Sequence, residues 1–132
     1  MKCLIVEDDL ISRRILKELL SPFCDCDIAV NGDEAITSFK LAHDGKHPYD
    51  LICMDIMMPV IDGKEALLRI RKLEKEMGIP PQFEVKVVMT SALDDPRTIV
   101  QSFYTSGATS YLVKPISKKK LMTELRQLGL LN

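Results

Sequence analysis

Two groups of acids end apolar runs in this chain. Cys3-Leu4-Ile5-Val6 leads into Glu7-Asp8-Asp9, and Leu51-Ile52-Cys53-Met54 ends on Asp55, ahead of Ile56-Met57-Met58-Pro59. An apolar run of this length tipped by an acid reads as a buried strand whose last side chain reaches the sheet edge. A carboxylate there is costly unless a cation or hydrogen bonds compensate it. Two acid-tipped strands in one small α/β pattern therefore point to a shared site for a hard cation with oxygen ligands. Hydroxyls at Thr90 and Ser91 and an amine at Lys114 also stand at the ends of apolar runs.

The elements that must position these groups follow from apolar spacing. Strand-like runs alternate with amphipathic segments of helical length. The first strand covers Lys2–Val6. Leu10, Ile11, Ile15, Leu16, Leu19 and Leu20 then repeat at helical spacing until Ser21-Pro22 ends the helix. A second strand spans Asp25–Val30 and turns through Asn31-Gly32 into a helix with Asp33 and Glu34 in its first turn, where acids favour the dipole. His47-Pro48 breaks the chain before a third strand, Leu51–Met54. Asp62-Gly63 opens a third helix to about Met77, closed by Gly78 and Pro80-Pro81. The fourth strand is Val85–Thr90. Asp94-Asp95-Pro96 reads as a capping acid with Pro in the first helical turn, in a helix ending near Ser106-Gly107. Ser110–Val113 is the fifth strand, and Ser117 caps a last helix with Leu121, Leu125 and Leu128 on one face.

Successive β-α units of this kind predict parallel strands joined by right-handed crossovers: a doubly wound (βα)5 three-layer sandwich, with 1–132 as a single domain. In a sheet of order 2-1-3-4-5 the functional crevice lies beyond the carboxyl ends of the strands, where strand order reverses between the first and third. Those two strands are the acid-tipped ones, so fold logic and residue chemistry select the same place.

Composition narrows the classes. The 132 residues suit one core. With 18 basic and 19 acidic residues, a net charge of −1 argues against a generic nucleic-acid binder. A hydrophobic share of 46% argues against disorder. The apolar runs are too short to span a bilayer, and the N-terminus lacks a signal-peptide pattern, so a cytoplasmic protein without membrane contact is expected. Cys3 and Cys53 read as small core residues within strands. Cys24-Asp25-Cys26 lacks the CxxC spacing, and His43 and His47 read as loop residues, so neither a disulfide framework nor a thiol or imidazole metal site is expected.

Five marks, in order, carry a resemblance: the acid pair after strand one, Asp55 followed by Met58-Pro59, Asp62-Gly63, a hydroxyl residue before Ala92, and Lys114-Pro115. Together they resemble the response regulator receiver domains, of the single-domain, CheY-like chemotaxis-regulator type, over essentially the whole chain. The resemblance implies a flavodoxin-like fold and a Mg2+-dependent (or Mn2+-dependent) switch, phosphorylated on Asp55 by a sensor histidine kinase or a phosphotransfer protein. Aligned on Arg13-Arg14-Ile15, Glu7 and Asp8 are the family's acid pair. Asp9 is then either a helix N-cap or a further ligand. Asp8, Asp55 and the backbone carbonyl of Met57 are implied as direct metal ligands and Glu7 as a ligand through water. Ser91 is implied as the hydroxyl that meets the phosphoryl group, with Thr90 as the alternative, and the Ala92 backbone beside it. Lys114 is implied as its cationic partner, and Lys114–Pro115 as a cis peptide.

The resemblance also implies an output. Ser91 moves toward the phosphate, Tyr111 turns inward, and the face of the fourth helix, fifth strand and fifth helix changes shape for a downstream protein, a homodimer or onward phosphorelay. Met57 and Leu93 are apolar where the family borders the attacking water, so self-dephosphorylation is expected to be slow. Lys118-Lys119-Lys120 is either a solvated face or a patch for an acidic partner. The chain is expected to be a phosphoacceptor switch, not an enzyme. A haloacid-dehalogenase-type hydrolase would need an acid where Met57 stands, no GxxxxGK[ST] run exists for a P-loop, and a phosphorylation-independent receiver would not need the site residue types retained here.

Overall fold

The computed structural model describes residues 1–132. Its elements are β1 (Lys2–Val6), α1 (Leu10–Leu20), β2 (Asp25–Ala29), α2 (Gly32–Asp44), β3 (Leu51–Asp55), α3 (Gly63–Glu76), a 3-10 turn (Pro81–Phe83), β4 (Lys86–Ser91), α4 (Pro96–Tyr104), β5 (Ser110–Val113) and α5 (Lys118–Gln127). All strands are parallel, in the order β2-β1-β3-β4-β5. This is the doubly wound architecture that the alternating pattern predicts.

The sheet divides the apolar interior in two. Leu4, Val6, Ile52, Met54, Val87 and Met89 point to one side and pack with Phe39 of α2 and Leu67 and Ile70 of α3. Cys3, Ile5, Leu51, Cys53, Val88 and Leu112 point to the other and pack with Leu16 and Leu20 of α1 and Leu121 and Leu125 of α5. The alternation of strand side chains makes this division and explains why β3 is apolar up to its terminal Asp55: it is covered on both faces. Side-chain caps start the helices. Asp9, Asn31, Asp62, Asp95 and Ser117 each accept a backbone N–H from the first turn.

Boundaries differ from the sequence reading by a residue or two. β3 includes Asp55 and β4 includes Ser91, because ladder pairing continues to Asp55–Thr90 and Ser91–Val113. β2 stops at Ala29, where its pairing with β1 ends at Val6. α4 stops at Tyr104, well short of Gly107: Thr105 and Ser106 both turn back to the Gln101 carbonyl.

Candidate functional site

β1 and β3 are adjacent and in register, Val6 opposite Met54, so both acid tips emerge at the same edge. Glu7, Asp8 and Asp55 can each place a carboxylate oxygen within 4.8 Å of the others. Glu7 is fully buried (0% exposed), Asp55 is buried and Asp8 is exposed, so the cluster runs from the sheet to solvent. Asp9 lies outside it. Its carboxylate accepts the Ser12 N–H at 2.8 Å, which selects the N-cap reading over the ligand one.

Lys114, one residue past β5, reaches across to this cluster. Its Nζ donates to Glu7 Oε1 at 2.6 Å and lies 3.5 Å from Asp55 Oδ2. Burial opposes its charge, but Glu7 and Asp55 outweigh that, and its pKa is raised above the ordinary lysine value. Glu7 is pushed up to about 7, first by burial and then by the neighbouring Asp55 carboxylate, against the pull of Lys114. The second Glu7 oxygen, Oε2, is buried without a hydrogen-bond partner. Lys114–Pro115 is a cis peptide.

The donor set is oxygen only, with an orphaned buried carboxylate oxygen turned into it. That fits a hard divalent cation such as Mg2+ or Mn2+ and not a soft one. The Met57 N–H donates to Asp55 Oδ1 at 3.3 Å, which holds the backbone of the β3–α3 loop against the cluster. His43 stacks near Phe39, with ring centroids 4.7 Å apart, and neither His43 nor His47 joins the acids.

The two hydroxyl candidates differ. Thr90 stands opposite Asp55 in the ladder, but its Oγ1 is buried with no partner. Ser91 points to the other side of the sheet, and its Oγ accepts the Leu93 N–H at 3.1 Å. Tyr111 is half-buried against the α2–α3 side, and its hydroxyl donates to the Leu93 carbonyl at 2.7 Å. The Tyr111 ring is thus already turned onto the β4–α4 loop here. Lys118, Lys119 and Lys120 are exposed in the first turn of α5.

Sequence reasoning missed two features of this site. One is the Lys114–Glu7 ion pair, which no local spacing encodes because 107 residues separate the partners. The other is the role of Gly63. A Cβ on Gly63 would sit 2.3 Å from the Asp55 carbonyl oxygen, so only glycine lets α3 start this close to the acid-bearing strand. The Asp-Gly pair that marked the helix start was the available signal.

An acid cluster at the switch point of a 2-1-3-4-5 parallel sheet places the chain among the doubly wound α/β proteins, and comparison with known proteins narrows that class. The profile described as the response regulator receiver domain matches residues 3–126, and the chain belongs to that family. It is 34% identical over 125 residues to the probable transcriptional regulator ycf29 of Porphyra purpurea, covering 95% of this chain and 54% of that protein. It is also 34% identical to the two-component response regulator ORR41 of Oryza sativa subsp. japonica, covering 92% of this chain and 88% of that protein. Among solved structures, the Saccharomyces cerevisiae complex of the histidine phosphotransfer protein Ypd1 with the Ssk1 receiver domain matches with a TM-score of 0.84 and 30% identity. The match covers 98% of this chain and 88% of that one. The CheX-CheY-BeF3-Mg+2 complex from Borrelia burgdorferi matches with a TM-score of 0.84 and 25% identity, over 98% and 89% of the chains. The chain spans 54% and 47% of the first two curated relatives, which are longer proteins. It is a receiver domain of two-component systems, and no helix is long and apolar enough to cross a membrane.

Proposed function

We propose that Asp55 accepts a phosphoryl group from a phosphohistidine on a sensor histidine kinase or phosphotransfer protein, and that the resulting charge resets the α4–β5–α5 face. The observation that carries this is the convergence of Glu7, Asp8, Asp55 and Lys114 from three strand ends on one pocket.

The Asp55 carboxylate attacks phosphorus while the donor imidazole leaves, giving an acyl phosphate. The fold contributes mainly position and charge. Glu7, Asp8, Asp55 and the Met57 carbonyl would hold Mg2+ or Mn2+, which when bound supplies neutralisation of the crowded acids and of the incoming phosphate. Lys114, tied to Glu7 and already 3.5 Å from Asp55, turns its ammonium to a phosphoryl oxygen. Ser91 leaves the Leu93 amide for the phosphoryl group, with the Ala92 N–H beside it. Leu93 also anchors Tyr111, so that exchange is felt at the tyrosine directly. The new charge, close to two units, biases a two-state element. The exposed Val100, Phe103 and Tyr104 of α4 supply apolar surface for a downstream protein or a second copy. Exposed Lys118, Lys119 and Lys120 border the same face.

The test is incubation with Mg2+ and acetyl phosphate, followed by intact mass. One added phosphoryl group on the wild type and none on Asp55→Asn is expected. Uptake by both, or by neither, overturns the proposal. The apolar Met57 and Leu93 offer no hydrogen bond to an attacking water. The phosphorylated form should therefore decay slowly once donor is removed, and a half-life of seconds would contradict this.

A further inference from the structure

Met57 is the most exposed of the seven methionines, with 60% of its surface open. Met54, Met89 and Met122 are buried, and Met58 is half-buried against the α2–α3 side. Met57 packs with neither half of the core. Met1 and Met77 are the other open ones, at 37% and 41%. Both stand at the far end of the strands, Met1 ahead of β1 and Met77 at the C-cap of α3. Met57 alone touches the acid pocket. Its N–H donates to Asp55 Oδ1 at 3.3 Å, so the backbone folds back over the carboxylate and the side chain starts at the pocket's rim.

A thioether is apolar and flexible, whereas its sulfoxide is polar and carries a strong acceptor oxygen. Oxidation of Met57 thus changes the polarity of the rim while leaving every acid and its charge in place. From this arrangement we propose that Met57 is a modification site: hydrogen peroxide converts it to the sulfoxide, which shortens the life of phosphorylated Asp55. The regulatory half of this rests on the phosphorylation proposed above.

The oxidation balances with peroxide as the oxidant. A lone pair of the Met57 sulfur attacks one peroxide oxygen, the S–O bond forms and the O–O bond breaks. The second oxygen leaves as hydroxide and takes the proton of the first, giving water. The thioether loses two electrons and the peroxide gains them. The backbone carbonyl of Met57 is chemically unchanged. In the reduced chain, water approaching phosphorus finds no partner at the rim. Met57 and Leu93 are apolar, and the Leu93 N–H and carbonyl are taken by Ser91 and Tyr111. The sulfoxide oxygen accepts one O–H of that water and orients it. The water oxygen then bonds to phosphorus, the bond from phosphorus to the Asp55 oxygen breaks, and the carboxylate and inorganic phosphate separate. One added hydrogen bond in that step makes the decay about fivefold faster.

The experiment treats the folded protein with hydrogen peroxide, clears it with catalase, reduces any oxidised thiol with dithiothreitol, and digests. Gain of one oxygen at Met57 ahead of Met1 and Met77, with Met54, Met89 and Met122 unchanged, is expected. Undigested samples are loaded with Mg2+ and acetyl phosphate, freed of donor, and followed by intact mass. Loss of the phosphoryl group should run about fivefold faster after peroxide and return to the untreated rate after methionine sulfoxide reductases for both epimers. Met57→Leu should decay at one rate with and without peroxide. Met57→Gln, whose side-chain carbonyl is a permanent acceptor, should decay faster than Met57→Leu without any peroxide. Melting curves show that both variants fold. Oxidation of Met1 or Met77 before Met57 overturns the site, whatever Asp55 does. Equal decay before and after peroxide, or a peroxide effect that survives in Met57→Leu, overturns the regulation. An untreated protein that takes up no phosphoryl group places the fault in the phosphorylation itself and removes the regulation with it, while the oxygen gain at Met57 is still read by mass.

Discussion

Glu7 has one oxygen on Lys114 and the other on nothing, and it is the most constrained group in the pocket. Its value of about 7 lies above the 4.5 of a free glutamate, and burial is the chief cause. Between those values the folded chain keeps a proton that the unfolded chain has released. The stability of the metal-free protein should therefore fall as pH rises through this window and level off above about 7. A cation needs the ionised form, so Mg2+ affinity should rise with pH over the same range and binding should release protons. Titration calorimetry in two buffers of different ionisation enthalpy measures that release, and Glu7→Gln should remove it. Thr90 poses the complementary case, a buried hydroxyl with no partner. Thr90→Val should raise stability by about 1 kcal/mol in urea unfolding and leave phosphoryl uptake intact, whereas Ser91→Ala should uncouple uptake from the Tyr111 environment, read by tyrosine fluorescence. At this scale the sequence was informative about residue types and silent about partners. Asp55 and Lys114 were legible because each ends an apolar run. The choice between Asp9 as cap and as ligand needed the Ser12 hydrogen bond.

At the scale of elements, the β3–α3 connection decides how the acid-bearing strand meets the next helix. Gly63 packs on the Asp55 carbonyl, its own N–H bonds the Ile56 carbonyl, and Asp62 caps α3. Gly63→Ala should cost about 1–3 kcal/mol by overpacking and slow phosphoryl uptake together, read by urea unfolding and by acetyl phosphate kinetics. Val60 in the same loop has φ 72° with 83% of its surface exposed. A β-branched residue is costly there, so Val60→Gly should stabilise the fold by roughly 1 kcal/mol without touching the acids, checked by the same melts. Element order and type were legible from periodicity and caps. The ends of β3 and β4 were not, because ladder pairing, a property of two strands, extends each by a residue that local polarity assigns to a loop. The 3-10 turn at Pro81–Phe83 was hidden behind the Pro80-Pro81 stop signal.

Over the whole molecule, one clasp joins elements far apart in the chain. Glu74 of α3 is almost fully buried. It accepts the Arg71 guanidinium at 2.7 Å and the Val85 N–H at 2.8 Å. Arg71 also donates to the carbonyls of Val85 at 2.9 Å and Gly107 at 3.0 Å, tying α3 to the start of β4 and the α4–β5 turn. Arg71→Ala leaves Glu74 buried without a countercharge and should cost about 3–5 kcal/mol in urea unfolding, with part recovered by adding Glu74→Gln. Nothing in the composition announced this pair, since both residues sit in a charged helix whose other ions are solvated.

Strand alternation also sets which side of the sheet each functional group occupies. Glu7 and Asp55 continue the rows that end in Ile5 and Cys53, on the α1–α5 side, whereas Ser91 and Tyr111 belong to the side packed by α2 and α3. The acids proposed to receive the phosphoryl group and the tyrosine proposed to respond to it thus stand on opposite sides of a wall one residue thick, with the tips of β4 and β5 as the doorway. Under that proposal, trimming Leu16 on the acids' side should retune how readily the chain is charged, and trimming Met89 on the tyrosine's side how loudly it answers, so the two properties can drift apart in descendants of this sequence without either being lost.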